Sequence, residues 1–153
     1  MVEFLLNGEP LKVDVEPGTT LLEFLRERGL FSVKHGCDHG ECGACSVLMD
    51  DLAVNSCLLL VNSLDGRRIE TLEGLEGDKT LAKLQQEFLD TGAVQCGYCT
   101  PGMLIALTAL LRQNSNPSEE QIRDALAGVL CRCTGYVKPV EAALKVSVRG
   151  GNR

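Results

Sequence analysis

The chain opens with residues that alternate between apolar and polar, which is the period of a β-strand. Two such stretches, Val2 to Leu6 and Leu11 to Val15, flank the dipeptide Asn7-Gly8, which is typical of hairpin turns. Glu9-Pro10 follows this dipeptide, so we expect a connection longer than a two-residue turn. The pattern predicts a β-hairpin at the start of the fold.

A helical pattern follows the hairpin. Thr20 and Glu23 have the spacing of a capping box, an apolar face comes next, and Gly29 supplies a stop signal. Three further short strands are expected at Ser46 to Met49, around Ala53 to Cys57 and at Arg68 to Leu72. Two strands, a helix and then more strands predict a β-grasp domain over residues 1–74.

The second half of the chain has a helical period. Glu73 to Asp78 contains two glycines and three acidic residues without periodicity, which is typical of a linker, and we place the linker at residues 75–79. Beyond it, four segments carry apolar residues at helical spacing, and the most apolar of them is Met103 to Leu111. Another begins with a second capping box, Ser118 to Gln121. Residues 80–153 are therefore predicted to form an all-α domain of four helices, and the fold class is α+β.

Composition and charge narrow the classes of partner. The chain has 153 residues and a formal net charge of −6, and it has no basic stretch interleaved with aromatic residues, so nucleic acid is not an expected partner. The run Met103 to Leu111 is shorter than the roughly 20 residues that a spanning helix needs, so no membrane insertion is expected. The first residues begin a strand and show no export signal. We therefore expect a cytoplasmic protein.

The eight cysteines fall into two sets of four, one in each half of the chain. The first set comprises Cys37, Cys42, Cys45 and Cys57, and the second comprises Cys96, Cys99, Cys131 and Cys133. The first set has the C-x4-C-x2-C spacing of plant-type ferredoxins, in which a loop supplies three thiolates to a [2Fe–2S] cluster and a later segment supplies the fourth. The second set reads C-x2-C-x31-C-x-C and again offers four thiolates. The sequence therefore predicts two [2Fe–2S] clusters and the transfer of single electrons.

Residues beside the cysteines are interpreted as supporting groups. The glycines of the first cysteine loop let the backbone approach a cluster and point N–H groups at its sulfurs. Tyr98 and Tyr136 are interpreted as rings that shield a cluster from water. Pro101 suits the first position of a helix, so Thr100 is expected to be the N-cap of that helix.

Other uses of eight cysteines are less consistent with the sequence. A disulfide framework is typical of short secreted chains, and no export signal is seen here. Zinc binds four cysteines readily, but neither set matches the spacing of common zinc ribbons, although the second set alone is less specific than the first. No nucleotide-binding, zinc-hydrolase or serine-hydrolase motif is present, and no catalytic residue is predicted. The chain can carry electrons but shows no means of transforming a substrate.

Three segments resemble the small iron–sulfur subunit of the xanthine dehydrogenase, or molybdenum hydroxylase, family. They are Gly36 to Cys45, Ala93 to Gly102 and Leu130 to Tyr136. The resemblance extends from residue 2 to about residue 145 and implies a plant-type ferredoxin-like domain followed by a four-helix [2Fe–2S]-binding domain. This agrees with the division of the chain inferred from its residue pattern.

The resemblance also implies partners and further contacts. In that family a large subunit holds a molybdopterin-type molybdenum cofactor and a medium subunit holds FAD, and the expected assembly is a dimer of heterotrimers. Carried over to matching positions, Gln95 and Cys133 would contact the pterin, Cys133 while remaining an iron ligand. The substrate would bind to another chain, so purines, aldehydes, N-heterocycles, carbon monoxide and aromatic acyl-CoA all stay open. The alternative function is a free ferredoxin-like electron carrier.

Overall fold

A computed structural model of the chain describes residues 1–147. Five strands, β1 to β5, are Val2–Leu6, Glu9–Val13, Ser46–Met49, Leu52–Asn55 and Arg68–Glu70. Five helices, α1 to α5, are Leu21–Glu27, Lys79–Asp90, Thr100–Gln113, Glu119–Ala127 and Val137–Val146. The fold is α+β, with the sheet in the first half and four of the helices in the second. Residues 148–153, the end of the predicted helical domain, lie outside the described range.

The opening hairpin has a tighter turn than the sequence pattern predicts. Asn7-Gly8 adopts left-handed backbone angles, with φ of 52° and 84°, which is the geometry of a two-residue hairpin turn. Leu6 pairs directly with Glu9, so β2 begins at Glu9 and includes Pro10. The expectation of a longer connection was wrong because β2 is an edge strand of the sheet, where a proline without an N–H group is tolerated.

The mixed sheet has the strand order β2-β1-β5-β3-β4. β1 and β5 are parallel, and the other neighbouring strands are antiparallel. β3 has the predicted bounds, whereas β4 ends at Asn55 and Cys57 lies in a short 3₁₀ turn, Ser56–Leu58. The capping box at Thr20 and Glu23 is confirmed, because each side chain bonds to the other's backbone N–H.

The four predicted helices of the second half are confirmed. α3 is the central helix: it packs against α2 and α4, and most of its side chains are buried. The capping box at Ser118 and Gln121 is confirmed at the start of α4. Thr100 is not the N-cap of α3, because Cys99 occupies that position and Thr100 is the first helical residue. Within residues 1–147 no helix is long and apolar enough to cross a membrane.

β3 separates two hydrophobic cores. Val47 belongs to the core that α1 covers, and the next residue, Leu48, belongs to the core of the helical half. Successive side chains of a strand point to opposite faces, so the two sides of β3 are both buried. Leu75, which falls in the predicted linker, is buried in the second core. The domain boundaries at residues 74 and 80 stay a prediction.

An ion network joins the helical half to the sheet. Arg112, near the end of α3, donates to Asp51 Oδ1 at 2.9 Å, Glu70 Oε2 at 3.1 Å and Asp78 Oδ2 at 2.9 Å. Asp51 lies in the β3–β4 turn, Glu70 on β5, and Asp78 at the N-cap of α2. Burial disfavours the charge on Arg112, but its bonds to Asp78 and Glu70 raise its pKa. The network therefore ties α3 to the sheet and to the end of the linker.

Candidate iron–sulfur sites

The first cysteine loop lies between α1 and β3 and is shaped to hold a thiolate. The backbone N–H groups of His39, Glu41 and Cys42 each lie 3.4 Å from Cys37 Sγ. These bonds, with that of His39 the largest contribution, lower the pKa of the Cys37 thiol to about 6. The thiolate is the form of cysteine that binds a metal.

The four cysteines of the first set lie as two adjacent pairs. Cys42 lies beside Cys37, and burial together with this neighbour raises the pKa of the Cys42 thiol. Cys57 lies beside Cys45, and burial together with this neighbour raises its pKa to about 11. A Cβ atom at Gly36 would lie 2.5 Å from Cys42 Sγ, so a glycine is needed for this close approach. Two cysteines for each of two irons is the ligand set that a [2Fe–2S] cluster requires, and the first set fits it.

The second set comes from two loops. Cys96 and Cys99 lie just before α3, and Cys131 and Cys133 lie between α4 and α5. Cys131 lies beside Cys99, and burial is the main cause that raises the pKa of the Cys99 thiol to about 12. Burial opposes the thiolate at Cys131 as well, but hydrogen bonds from Thr134 lower its pKa. The structure therefore brings together cysteines that are 32 residues apart in the sequence, the interval from Cys99 to Cys131.

Gln95 and Cys133 are neighbours at the surface of the helical half. Gln95 Nε2 donates to the backbone oxygen of Cys133 at 3.3 Å, and both residues are exposed. Cys96, which follows Gln95, is exposed as well. Two residues that the sequence resemblance assigns to one ligand thus occupy one accessible patch, and their role as pterin contacts stays a prediction.

The two cysteine-bearing regions are in direct backbone contact. The N–H of Leu130 donates to the backbone oxygen of Cys42 at 2.8 Å. Gly43 packs against Gly128 so closely that a Cβ atom on Gly43 would lie 2.1 Å from the Gly128 oxygen. The Tyr98 hydroxyl donates to the His35 backbone oxygen. Cys42 and residues within three positions of the first cysteine set therefore touch residues within three positions of the second set.

Tyr136 has a role that its interpretation as a shielding ring missed. Its hydroxyl accepts from the backbone N–H of Cys131 and donates to the backbone oxygen of Val129, each at 2.9 Å. Its backbone is left-handed, with φ of 68°, which is unusual for a bulky residue. The ring therefore closes the turn that carries Cys131. The signal in the sequence was the tyrosine placed directly after Thr134-Gly135, between the cysteine pair and a helix.

Among the residues that the structure describes, no three or more histidine, cysteine, aspartate or glutamate side chains are arranged to hold one ion. The cysteine pairs described above instead offer sulfurs side by side.

Two family models match the chain in the order that the fold suggests. The 2Fe-2S iron-sulfur cluster binding domain matches residues 4–80, and the [2Fe-2S] binding domain matches residues 71–144. Together the two matches cover both cysteine sets.

Named relatives and a solved structure agree with these models. The nicotinate dehydrogenase small FeS subunit of Eubacterium barkeri is 50% identical over 144 residues, which cover 94% of this chain and 91% of the relative. The xanthine dehydrogenase iron-sulfur-binding subunit of Escherichia coli O157:H7 is 49% identical over 148 residues, with the same coverage of 94% and 91%. Quinoline 2-oxidoreductase from Pseudomonas putida 86 contains a chain that superposes with a TM-score of 0.87 at 41% identity, covering 94% of this chain and 89% of that one. The chain therefore belongs to the family of [2Fe–2S] small subunits of xanthine dehydrogenase-type oxidoreductases.

Proposed function

We propose that this chain is the electron-transfer subunit of a molybdenum-containing hydroxylase of the xanthine dehydrogenase type. It would carry electrons from a molybdenum–pterin centre on a large subunit to FAD on a medium subunit. When bound, two [2Fe–2S] clusters accept and release one electron at a time, which is chemistry that the side chains of the two loops cannot supply. The chain's own residues bind the clusters and hold them at a fixed separation.

The assigned ligands are the two cysteine sets. Cys37, Cys42, Cys45 and Cys57 would hold the first cluster, and Cys96, Cys99, Cys131 and Cys133 the second. Three backbone N–H groups on Cys37 support this assignment, because donors to a ligand sulfur stabilise its negative charge. The two adjacent pairs of the first set, and the adjacent Cys99 and Cys131 of the second, support it as well.

The observation that carries the proposal is the hydrogen bond from Leu130 to Cys42. Cys42 is a proposed ligand of the first cluster, and Leu130 precedes Cys131, a proposed ligand of the second. A single 2.8 Å bond therefore connects the two ligand sets through the backbone. Such a short connection suits electron transfer between the two clusters.

The exposed patch at Gln95, Cys96 and Cys133 is the proposed contact with the large subunit. Gln95 and Cys133 would bind the pterin there, since both are accessible and joined by a hydrogen bond. The named relatives are subunits of multi-subunit dehydrogenases, which supports a large partner and further partners. A medium FAD-binding subunit, a dimer of heterotrimers and a cytoplasmic location complete the proposal.

The composition of the purified native complex tests the proposal. The chain should be isolated gently from its own host, and iron, molybdenum, flavin and co-purifying chains should be measured together. We expect about four irons per chain, with molybdenum and FAD on two larger polypeptides. Iron on a solitary chain would instead favour the free ferredoxin-like carrier.

A pair of variants tests the order of transfer. In Cys42→Ser the first cluster should be damaged, so substrate should still reduce the second cluster while the flavin stays oxidised. In Cys96→Ser the second cluster should be damaged, so substrate should reduce neither the first cluster nor the flavin. Rapid-mixing absorbance and EPR spectra distinguish these states. Normal flavin reduction in Cys42→Ser would contradict the proposed order.

A further inference from the structure

The hydroxyl group of Thr134 lies against the sulfur of Cys131. Thr134 Oγ1 is 3.1 Å from Cys131 Sγ, and the backbone N–H of Thr134 points at the same sulfur from 3.4 Å. The backbone N–H of Tyr136 donates to Thr134 Oγ1 at 3.2 Å. One short turn thus places two donors of one residue on one sulfur.

The direction of the hydroxyl bond follows from the chemistry of its neighbours. A cysteine that binds iron is a thiolate and has no proton to donate, so the Thr134 hydroxyl must be the donor. The Tyr136 N–H occupies the oxygen as an acceptor, which leaves the single hydroxyl proton free to point at the sulfur. The Tyr136 hydroxyl holds the turn from the other side through Cys131 and Val129. The donor is therefore fixed in place before any electron arrives.

No other cysteine sulfur within residues 1–147 receives a hydroxyl donor. Cys37 receives three backbone N–H groups and no hydroxyl. The hydroxyls of Ser46 and Ser56, which adjoin Cys45 and Cys57 in the sequence, donate to the backbone oxygens of Gly43 and Cys45 instead of a sulfur. The hydroxyl donor thus distinguishes the second set from the first.

We propose that Thr134 sets the reduction potential of the second cluster through its hydroxyl bond to Cys131. Reduction adds negative charge to the ligand sulfurs, so a fixed donor stabilises the reduced cluster more than the oxidised one and raises its potential. The inference rests on the proposed function, because it assumes that Cys131 binds the second cluster. It adds a residue that tunes how readily this subunit accepts an electron.

The test compares Thr134→Val with Thr134→Ser in the purified native complex. Valine keeps the shape and removes the hydroxyl, whereas serine keeps the hydroxyl. Thr91→Val is the matched control, because the Thr91 hydroxyl donates to the Glu87 backbone oxygen and not to a sulfur. An EPR-monitored redox titration follows each cluster, with Cys42→Ser used to assign the signals.

Thr134→Val should lower the reduced-to-oxidised ratio of the second cluster about tenfold at a given potential. For one electron this is a fall of about 59 mV in midpoint potential. The midpoint potential of the first cluster should be unchanged in Thr134→Val. In Thr134→Ser and Thr91→Val, both clusters should keep the midpoint potentials of the unsubstituted complex.

An unchanged second-cluster potential in Thr134→Val, or an equal fall in Thr134→Ser, would overturn the inference. If valine prevents cluster loading, Thr134→Ala removes the same hydroxyl with a smaller side chain and is judged by the same criteria. Absence of a second cluster from the unsubstituted complex would instead refute the proposed function, so the two failures are distinct.

Discussion

Replacement of Arg112 by methionine removes the only group that bonds to Asp51, Glu70 and Asp78 together within residues 1–147. Methionine retains an apolar stem of similar length, so the change isolates the guanidinium group. The Arg112 side chain is 24% exposed, and the side chains of Glu70 and Asp78 are 19% and 20% exposed. The substitution would leave the mostly buried Asp78 carboxylate without a cation, and it would leave Glu70 with only the guanidinium of Arg68, 4.0 Å away.

The expected cost lies between two limits. Fully exposed ion pairs contribute less than about 1 kcal/mol, and removal of one partner from a fully buried pair costs about 3–5 kcal/mol. Because solvent still screens a quarter of the arginine side chain, we expect Arg112→Met to lower the free energy of unfolding by about 2 kcal/mol. With a urea dependence of about 2 kcal/mol per M, the midpoint should fall by about 1 M.

The assay is urea unfolding of the cluster-loaded chain without oxygen, followed by circular dichroism and by visible absorbance. Urea is preferred to guanidinium chloride because a salt would screen the ion pairs themselves. Arg123→Met is the matched control, since Arg123 makes one exposed ion pair with Glu119. Its replacement should lower the free energy of unfolding by less than about 0.5 kcal/mol. Equal midpoints for Arg112→Met and Arg123→Met would refute the idea that the network holds the two halves together.

Two further substitutions test the packing of the interior. Gly43→Ala should destabilise the cluster-loaded chain by about 1–3 kcal/mol more than Gly66→Ala. Both residues have a left-handed backbone, but only Gly43 is packed against another backbone. Equal urea midpoints for the two variants would contradict the close contact between Gly43 and Gly128. Thr108→Val should raise the free energy of unfolding by about 1 kcal/mol, because the Thr108 hydroxyl is buried on α3 and has no hydrogen-bond partner within residues 1–147. A lower urea midpoint for Thr108→Val would show that the hydroxyl has a partner after all.

The elements of this fold were largely predictable because their signals are local. A capping box such as Thr20 with Glu23, or a run such as Met103 to Leu111, determines its own helix through neighbouring residues. The errors occurred where tertiary position overrides a local rule. Pro10 is compatible with a strand only because that strand lies at the edge of the sheet, and strand order cannot be read from the residues of the hairpin.

Ligand candidates were predictable from spacing, but their surroundings were not. Cysteine is rare enough that the two sets stand out in the sequence, whereas Thr134 and Tyr136 belong to residue types that occur throughout most proteins. Their roles depend on a left-handed backbone at Tyr136 and on bonds that reach back to Val129 and Cys131. Such geometry is determined by the packed turn as a whole, so no pattern of spacing predicts it.

The contact between the two halves follows from β3, and one part of its signal was present in the sequence. A strand with one face in solvent alternates between polar and apolar, but Val47, Leu48 and Met49 are apolar in succession, which is typical of a strand covered on both faces. In the structure Val47 and Leu48 do enter different cores. β3 directly follows Cys45, and α3, which packs on β3, directly follows Cys99. The packing of α3 on β3 therefore brings the two cysteine sets together. If β3 or α3 had an exposed face at this contact, the two sets would not be held next to each other.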